Sequence, residues 1–522
     1  MRLSELLSKS GISFESKLGM NLIEVTGIKF DSHDVEPGDL FVAILGEEFD
    51  GHEYIENAVS NGAVAAVGSK NIQIRDFPYI KVENPREILA VLGAAFYDFP
   101  AKKLTVIGVT GTDGKTTTVN LIYQLLKAHG VSVGMISTVD ARIGDEELDT
   151  GFHVTTPESP TIQRYLHQMV DKGLTHVVLE ATSHGLSQNR VDACEFDIAV
   201  VTNITHEHLD YHQTYDAYFQ AKFKLIEKLL EPSAKKHQII HTAVINRDDS
   251  SYPMIMERIK SPEFQQLNVI DYGFDKNSKL WAANLSSKIQ NMKFEVNYEE
   301  KKFILDTELF GEFNAFNILA AIGAVSTVID MDIQRIQNTI RNFTGVPGRM
   351  ELIDLGQDFT VIVDFAHTPN ALKVALESVR KLTSKRVIAV FGSAGLRDKE
   401  KRRMMAATSV DLADITILTA EDPRTEDLNE ILAEMSTEAM SHGAIIEKDY
   451  YVIPDRGEAI RKAINLADKN DLVIACGKGH EQSMCFGKIE YPWDDRRAAR
   501  AALSNLLGIS GPEMPYLPTQ EK

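Results

Sequence analysis

The chain has 522 residues, of which 43% are hydrophobic and 25% charged, with a formal net charge of -20 at pH 7. That length allows about three domains, and the composition is that of a globular protein, neither disordered nor fibrous. The acidity contains no long run of one sign, which argues against broad contact with nucleic acid or an anionic membrane surface, so an anionic substrate would need a locally basic site. The N-terminus, Met1 to Leu7, lacks the apolar core of a signal peptide, and no apolar run reaches membrane-spanning length. Cys194, Cys476 and Cys485 each lie in or near an apolar segment. A disulfide framework or zinc site is not expected, and a reducing cytoplasm fits.

In chain order, the first segment alternates short strands and turns. Asp31 to Ile44 reads as a turn at Pro37-Gly38 followed by a buried strand, Tyr54 to Asn61 as a helix, and Ala63 to Val67 as a strand. Pro85 to Tyr97 reads as a linking helix ended by Phe99-Pro100, which predicts a first domain over residues 1–102.

An apolar, β-branched run, Leu104 to Val109, then enters Gly111-Thr-Asp-Gly-Lys-Thr-Thr117, and Val119 to Leu126 carries helical spacing. Strand, glycine loop and helix together aim backbone N–H groups and a helix N-terminus at a polyphosphate. Lys115 would reach the β/γ-phosphates of ATP, and the Thr116 hydroxyl would face Mg²⁺. The general phosphate-loop pattern asks for glycine where this chain has Val109; the glycines here are Gly108, Gly111 and Gly114. A tight strand–helix turn with a chance Lys-Thr is the plainer alternative.

Strand candidates at 175–180, 198–203 and 243–246 alternate with helices, which predicts a mostly parallel sheet, and the region near 267–310 is more β-rich. Glu180 ends one strand, and His206-Glu-His208 follows another. A carboxylate and an imidazole beside a phosphate loop suit Mg²⁺, which takes few protein ligands. A helix-capping carboxylate and surface histidines would look the same.

The Gly/Pro break Thr344 to Met350 predicts a second boundary, giving a central domain over 103–344 and a third over 345–522. Strands at 360–365, 386–391, 415–419 and 471–475 predict another doubly wound α/β unit. Ala366–Pro369, Gly392–Gly395, Ala420–Arg424 and Gly477–Glu481 follow those strands and should share one rim.

These motifs resemble those of the Mur ligases. The loop Gly108-x-x-Gly-Thr-Asp-Gly-Lys-Thr-Thr117 is similar to that family's ATP loop, and further matches run in order along the chain: Asp31-Ser32, Thr155-Thr-Pro157, Ser183-His-Gly-Leu186, His208-Leu-Asp-Tyr-His212, Asn314 with Asn317, Gly348-Arg-Met-Glu351, Asp364-Phe-Ala-His-Thr-Pro369 and Gly477-Lys-Gly-His-Glu481. The last two resemble the MurE type. The resemblance implies an α/β protein of three domains: a small UDP-binding domain, a central ATPase-like domain built on a parallel sheet, and a C-terminal Rossmann-like domain. It implies a cytoplasmic, monomeric ligase of peptidoglycan synthesis that joins a diamino acid to UDP-MurNAc-L-Ala-D-Glu through an acyl phosphate, with ATP and Mg²⁺.

Site roles follow from the same resemblance. Gly111, Thr112, Asp113, Gly114, Lys115, Thr116 and Thr117 would bind ATP, joined by Asn314 at the adenine and by Arg349 and Asp364 from the third domain, which would close over the nucleotide. Ser32, Thr155, Thr156, Thr182, Gln188 and Arg190 would bind the UDP-muramoyl-peptide. Thr116, Glu180, His208 and a carbamylated Lys222 would hold metal, and Lys115, Lys222, Glu180 and His208 would carry the chemistry. Nothing in the bare sequence separates Lys222 from Lys224 or Lys228. Asp422, Arg424, Gly477 and Glu481 would bind the incoming amino acid. Asp113, His33 and Ser393 depart from common Asn, Arg and Cys.

Diaminopimelate-adding members commonly carry Asp-Asn-Pro-Arg where this chain has Glu421-Asp-Pro-Arg424. An extra negative charge at Asp422 leads us to expect lysine or ornithine ahead of meso-diaminopimelate, against the retained Gly477 and Glu481. Another Mur type, a folylpolyglutamate synthase and a non-catalytic Mur-like structural partner stay open. Thr155-Thr-Pro157 speaks against a folate enzyme, and the retained Lys115, Glu180 and His208 against loss of catalysis.

Overall fold

The computed structural model of the chain describes residues 1–13, 20–46, 49–74, 77–149, 156–205, 214–232, 235, 239–288 and 291–521. These form two compact units. The first comprises Met1–Leu285, Phe294–Leu305 and Phe313–Ile340; the second comprises Ser286–Lys293, Asp306–Glu312 and Arg341–Lys522. Residues 1–285, most of the regions expected as first and central domains, therefore fall in one unit.

The first unit opens with a parallel sheet of β1 (Gly27–Lys29), β2 (Asp39–Val42), β3 (Ala65–Gly68) and β4 (Tyr79–Lys81), in that order. Every residue of β2 is buried, as the apolar run predicts. The linking helix is Pro85–Phe96. Asn84 caps it by accepting from the Arg86 and Glu87 N–H groups, and Pro85 takes the first position, where no N–H is needed.

The large sheet follows. Its strands are β5 (Thr105–Thr110), β6 (Val133–Ile136), β7 (Asp140–Ile143), β8 (Glu146–Asp149), β9 (His176–Glu180), β10 (Ile198–Val201), β11 (Thr242–Asn246), β12 (Asn268–Gly273), β13 (Leu280–Lys288), β14 (Asn291–Tyr298) and β15 (Lys301–Thr307). They lie in the order β15-β14-β13-β12-β11-β10-β5-β9-β6-β7-β8. β5 pairs in parallel with β9 on one side and β10 on the other, so the residues that leave all three strands emerge at one end of the sheet. β6, β7 and β8 pair antiparallel, an extension the sequence reading did not anticipate although Gly144-Asp145 between β7 and β8 is a hairpin signal.

In the second unit, β16 (Glu351–Leu352), β17 (Thr360–Asp364), β18 (Val387–Phe391), β19 (Ile415–Leu418), β20 (Tyr450–Val452) and β21 (Leu472–Cys476) form a sheet ordered β16-β17-β21-β18-β19-β20. All pairs whose register is given are parallel except β16 with β17. The strands are almost uninterruptedly apolar because both faces are covered, by separate clusters around Leu376 and Met435 on one side and around Ile460 and Leu503 on the other. A hairpin, β22 (Ser483–Phe486) with β23 (Ile489–Pro492), follows β21.

Arg456, the first residue of the helix Arg456–Leu466, is fully buried and ties this unit together. It donates to both Asp495 carboxylate oxygens at 2.7 Å, to Ala420 O at 3.1 Å and to Cys476 O at 2.7 Å. Asp495 also accepts from Trp493 Nε1 at 2.8 Å. Removing one partner of a fully buried ion pair strands the other charge, so Asp495→Ala should cost about 3–5 kcal/mol. Urea unfolding should show an early transition in that variant, and an unchanged midpoint would show the pair to be dispensable.

Candidate active site

β5 delivers the chain to the glycine loop, and sterics explain the glycine spacing. A Cβ at Gly108 would lie 2.7 Å from the Phe196 ring and 2.8 Å from Leu225; one at Gly111 would lie 1.8 Å from Thr202 Oγ1; one at Gly114 would lie 2.2 Å from Asn317 Oδ1. Val109, where the general pattern has glycine, is instead a fully buried strand residue. The loop is pinned from β10: Asp113 N donates to Asn203 Oδ1 at 2.9 Å, and Asp113 O accepts from Thr202 Oγ1 at 2.6 Å and Asn203 Nδ2 at 3.1 Å. Gly114, at φ +80°, hands the chain to the helix Lys115–Ala128, whose first N–H groups have no partner within the helix. Lys115 Nζ donates to Thr112 O at 2.7 Å, and Thr117 lies half-buried on the first turn.

Glu180 ends β9, paired in register with Val109 of β5. It is buried, and both oxygens are engaged: Oε1 accepts from Thr116 Oγ1 at 3.2 Å and Oε2 from Thr138 N at 3.0 Å. The expected carboxylate and the loop hydroxyl thus meet. Lys222 is buried on the helix Tyr215–Glu227; its Nζ donates to Gly111 O at 2.5 Å and lies 4.6 Å from the centre of the Tyr218 ring. The Tyr218 hydroxyl is 3.0 Å from Thr112 Oγ1. Lys224 is only half-buried, and Lys228 pairs with Asp192 and Glu231, so burial against the loop singles out Lys222. His208 lies outside the described residues.

Four residues expected at the muramoyl-peptide form one cluster. Thr156 Oγ1 donates to Glu180 O at 3.2 Å and is 2.9 Å from Thr182 Oγ1, which in turn caps the short helix Ser183–Ser187 by accepting from Gly185 N. Arg190 donates to Thr156 O at 2.9 Å and to Gln188 Oε1 at 2.6 Å, and pairs with Glu158 at 3.0 Å. Thr155 lies outside the described residues. Ser32 is buried in the first sheet region, its carbonyl held by Asn61 Nδ2 at 2.9 Å. Asn314 is buried on the helix Glu312–Val325 and reaches the loop through Asn317, whose Nδ2 donates to Asn314 Oδ1 at 3.1 Å.

The second unit gathers its own set at the strand ends. Asp364 accepts from Met350 N at 2.7 Å and from Ala366 N at 2.9 Å. Arg349 lies over the Phe365 ring at 4.3 Å, and that ring is 4.8 Å from His480. Burial, reinforced by the Arg349, Arg496 and Lys478 cations, pushes His480 down to about 2, so its imidazole stays neutral. Arg424, at φ +54°, is held by its backbone to Cys485 and Gly487 of the hairpin, and no side-chain bond of its guanidinium is found among the described residues.

Asp422 corrects one expectation. Its charge does not face an incoming ligand alone, because both oxygens lie 3.0 Å from Lys478 Nζ and Oδ1 also accepts from Cys485 N at 2.9 Å. Lys478 continues to Glu481 at 2.5 Å. The carboxyl left over is Glu421, buried, with Oε2 accepting no hydrogen bond from the described residues. A Cβ at Gly477, at φ +114°, would lie 2.4 Å from that oxygen, so the position needs glycine. Sequence reasoning missed Thr138, Asn203, Tyr218, Glu421, Arg456 and the role of Lys478. Lys478 was visible inside its motif, but a buried ion pair leaves no periodic trace.

The chain matches the Mur ligase family, catalytic domain, over residues 24–97; the Mur ligase middle domain over 109–325; and the Mur ligase, glutamate ligase domain, over 348–479. It is 38% identical over 480 residues to the UDP-N-acetylmuramoyl-L-alanyl-D-glutamate–2,6-diaminopimelate ligase of Geobacillus thermodenitrificans, covering 92% of this chain and 95% of that protein. It is 40% identical over 489 residues to the UDP-N-acetylmuramyl-tripeptide synthetase of a Roseiflexus species, again over 92% and 95% of the two chains. A solved structure of a UDP-N-acetylmuramoyl-L-alanyl-D-glutamate–2,6-diaminopimelate ligase superposes with a TM-score of 0.65 at 28% identity, over 96% of this chain and 99% of that one.

Burial pushes the Glu421 carboxyl up to about 7 from an ordinary value of 4.5. The folded state therefore holds this proton more tightly than the unfolded chain, so the group's stabilising contribution is complete below pH 4.5 and is lost as pH rises through about 7. Compared with Glu421→Gln, the wild type should lose about 3 kcal/mol across that window. Urea unfolding at a series of pH values measures this, and a pH-independent difference would show that Glu421 is ionised throughout.

Proposed function

Because the chain belongs to the Mur ligase family of ATP-dependent acid–amino-acid ligases, we propose that it joins a diamino acid to UDP-MurNAc-L-Ala-D-Glu, releasing ADP and phosphate. The observation that carries this reading is Glu180. One buried carboxylate accepts from the phosphate-loop hydroxyl of Thr116, while its own backbone carbonyl accepts from Thr156 of the hydroxyl–arginine cluster. A phosphate donor and a phosphate acceptor would thus be held on the two sides of a single strand end.

A carboxylate is a poor electrophile, and phosphorylation supplies the leaving group it lacks. In the first step the terminal carboxylate oxygen of the dipeptide bonds to the γ-phosphorus and the bond to ADP breaks. Lys115 and the N-terminus of the helix Lys115–Ala128 neutralise the charge on the transferring group. In the second step the amine bonds to the acyl carbon, the carbon–oxygen bond to phosphate breaks, and the amine loses a proton. Glu180 and Thr116 are hard oxygen donors that fit Mg²⁺, with His208 and a carbamylated Lys222 as further ligands from the family resemblance. The ion would supply further neutralisation of phosphate charge. Thr156, Thr182, Gln188 and Arg190, with Thr155, would orient the muramoyl-peptide, and Ser32 its uridine diphosphate. Asn314, Arg349 and Asp364 are the remaining nucleotide groups in this reading, which implies a cytoplasmic, monomeric enzyme.

For the amino acid, 2,6-diaminopimelate is the first reading. Relatives that cover more than nine-tenths of the chain are named for it, Lys478 cancels the Asp422 charge that favoured a basic side chain, and Arg424 would pair with a carboxylate. Lysine or ornithine is the second reading, favoured by the Glu421 oxygen that has no partner among the described residues and that an ammonium would satisfy.

Lys115→Ala should lower ADP release by at least about a hundredfold while leaving the fold intact. Near-normal turnover would remove the loop from the reaction. Comparing kcat/KM for meso-diaminopimelate, lysine and ornithine decides between the two amino-acid readings.

A further inference from the structure

Lys478 is fully buried just beyond the end of β21. Burial alone would lower its pKa, but the Glu481 and Asp422 carboxylates outweigh that and hold it above the ordinary lysine value, so it remains an ammonium. Nζ is 3.0 Å from each Asp422 oxygen and 2.5 Å from Glu481 Oε2. Asp422 and Glu481 are two of the four residues assigned above to the amino acid. Both carboxylates lie in the segments assigned to the ligand, and a lysine is a compact point charge suited to cancelling one of them.

We propose that Lys478 is the positioning residue that sets which diamino acid this site takes: it fixes Asp422 and Glu481 in place and leaves the triad with one net negative charge. The proposal rests on the amino-acid site of the preceding section. Lysine and diaminopimelate differ at the distal end by one carboxylate, hence by one unit of charge. A triad made more negative should favour lysine, and one made neutral should favour diaminopimelate. A lysine that served only to hold the fold would change both substrates alike.

The test is the ratio of kcat/KM for lysine over meso-diaminopimelate, measured at one pH with UDP-MurNAc-L-Ala-D-Glu and ATP. Lys478→Gln should raise the ratio about tenfold and Asp422→Asn should lower it about tenfold, whereas the double variant, whose triad regains one net negative charge, should return to within about twofold of the parent. Parental ratios in both single variants, Lys478→Gln and Asp422→Asn, would overturn the proposal. Should Lys478→Gln give no folded protein, Asp422→Asn decides by itself: a fall supports the proposal and an unchanged ratio overturns it. Failure of the ligase reading is separate, since a parent protein that releases no ADP with any of these amino acids would show it before any variant is compared.

Discussion

Each candidate site depends on the desolvation of polar groups where parallel strands end. At the end of β9 the Glu180 carboxylate has left water, so each of its oxygens needs a donor, and it takes one from Thr116 and one from Thr138. Those two bonds set the distance between β9, the phosphate loop and the turn after β6. The chain then continues into Thr182, whose hydroxyl meets Thr156, and the substrate cluster forms as a consequence. The loop's glycines follow from the same crowding, because Thr202 and Asn317 approach too closely for any Cβ.

The second unit solves the same problem with ions. Arg456 reaches the carbonyls of Ala420 and Cys476, which immediately precede the Glu421–Arg424 and Gly477–Glu481 segments. Since β18 lies between β19 and β21, one guanidinium fixes the separation of two loops that do not neighbour each other in the sheet. Its planar fork can serve two carbonyls and a carboxylate together, which an ammonium could not do in the same geometry. Lys478 performs the smaller task of joining Asp422 to Glu481. Buried ion pairs are expensive to desolvate and add little net stability compared with apolar packing, so their value here is geometric.

The net charge of -20 is consistent with a protein that handles anionic substrates only at specific places. Cations at the sites are held one by one, among them Lys115 against the loop carbonyl of Thr112, Arg190 between Gln188 and Glu158, and Arg349 over Phe365. Among the described residues, no helix is long and apolar enough to cross a membrane.

Apolar runs and glycine punctuation are local properties, so the sequence alone determined the strand–loop–helix at Lys115, the two α/β sheets and the rim formed by the segments that follow β17, β18, β19 and β21. It also determined the family, because motifs in fixed order survive where overall similarity fades. The hairpin of β7 and β8 carried a Gly-Asp signal too weak to read beside the parallel pattern. What only the tertiary structure decided is which like residues differ. Lys222 is distinguished from Lys224 and Lys228 by burial against Gly111. Asp422 is neutralised by a lysine 56 residues away in sequence. Glu421, its immediate neighbour, has no partner for one oxygen among the described residues. Charge, unlike hydrophobic periodicity, acts through distance in space, and that distance exists only once the strands have been laid side by side.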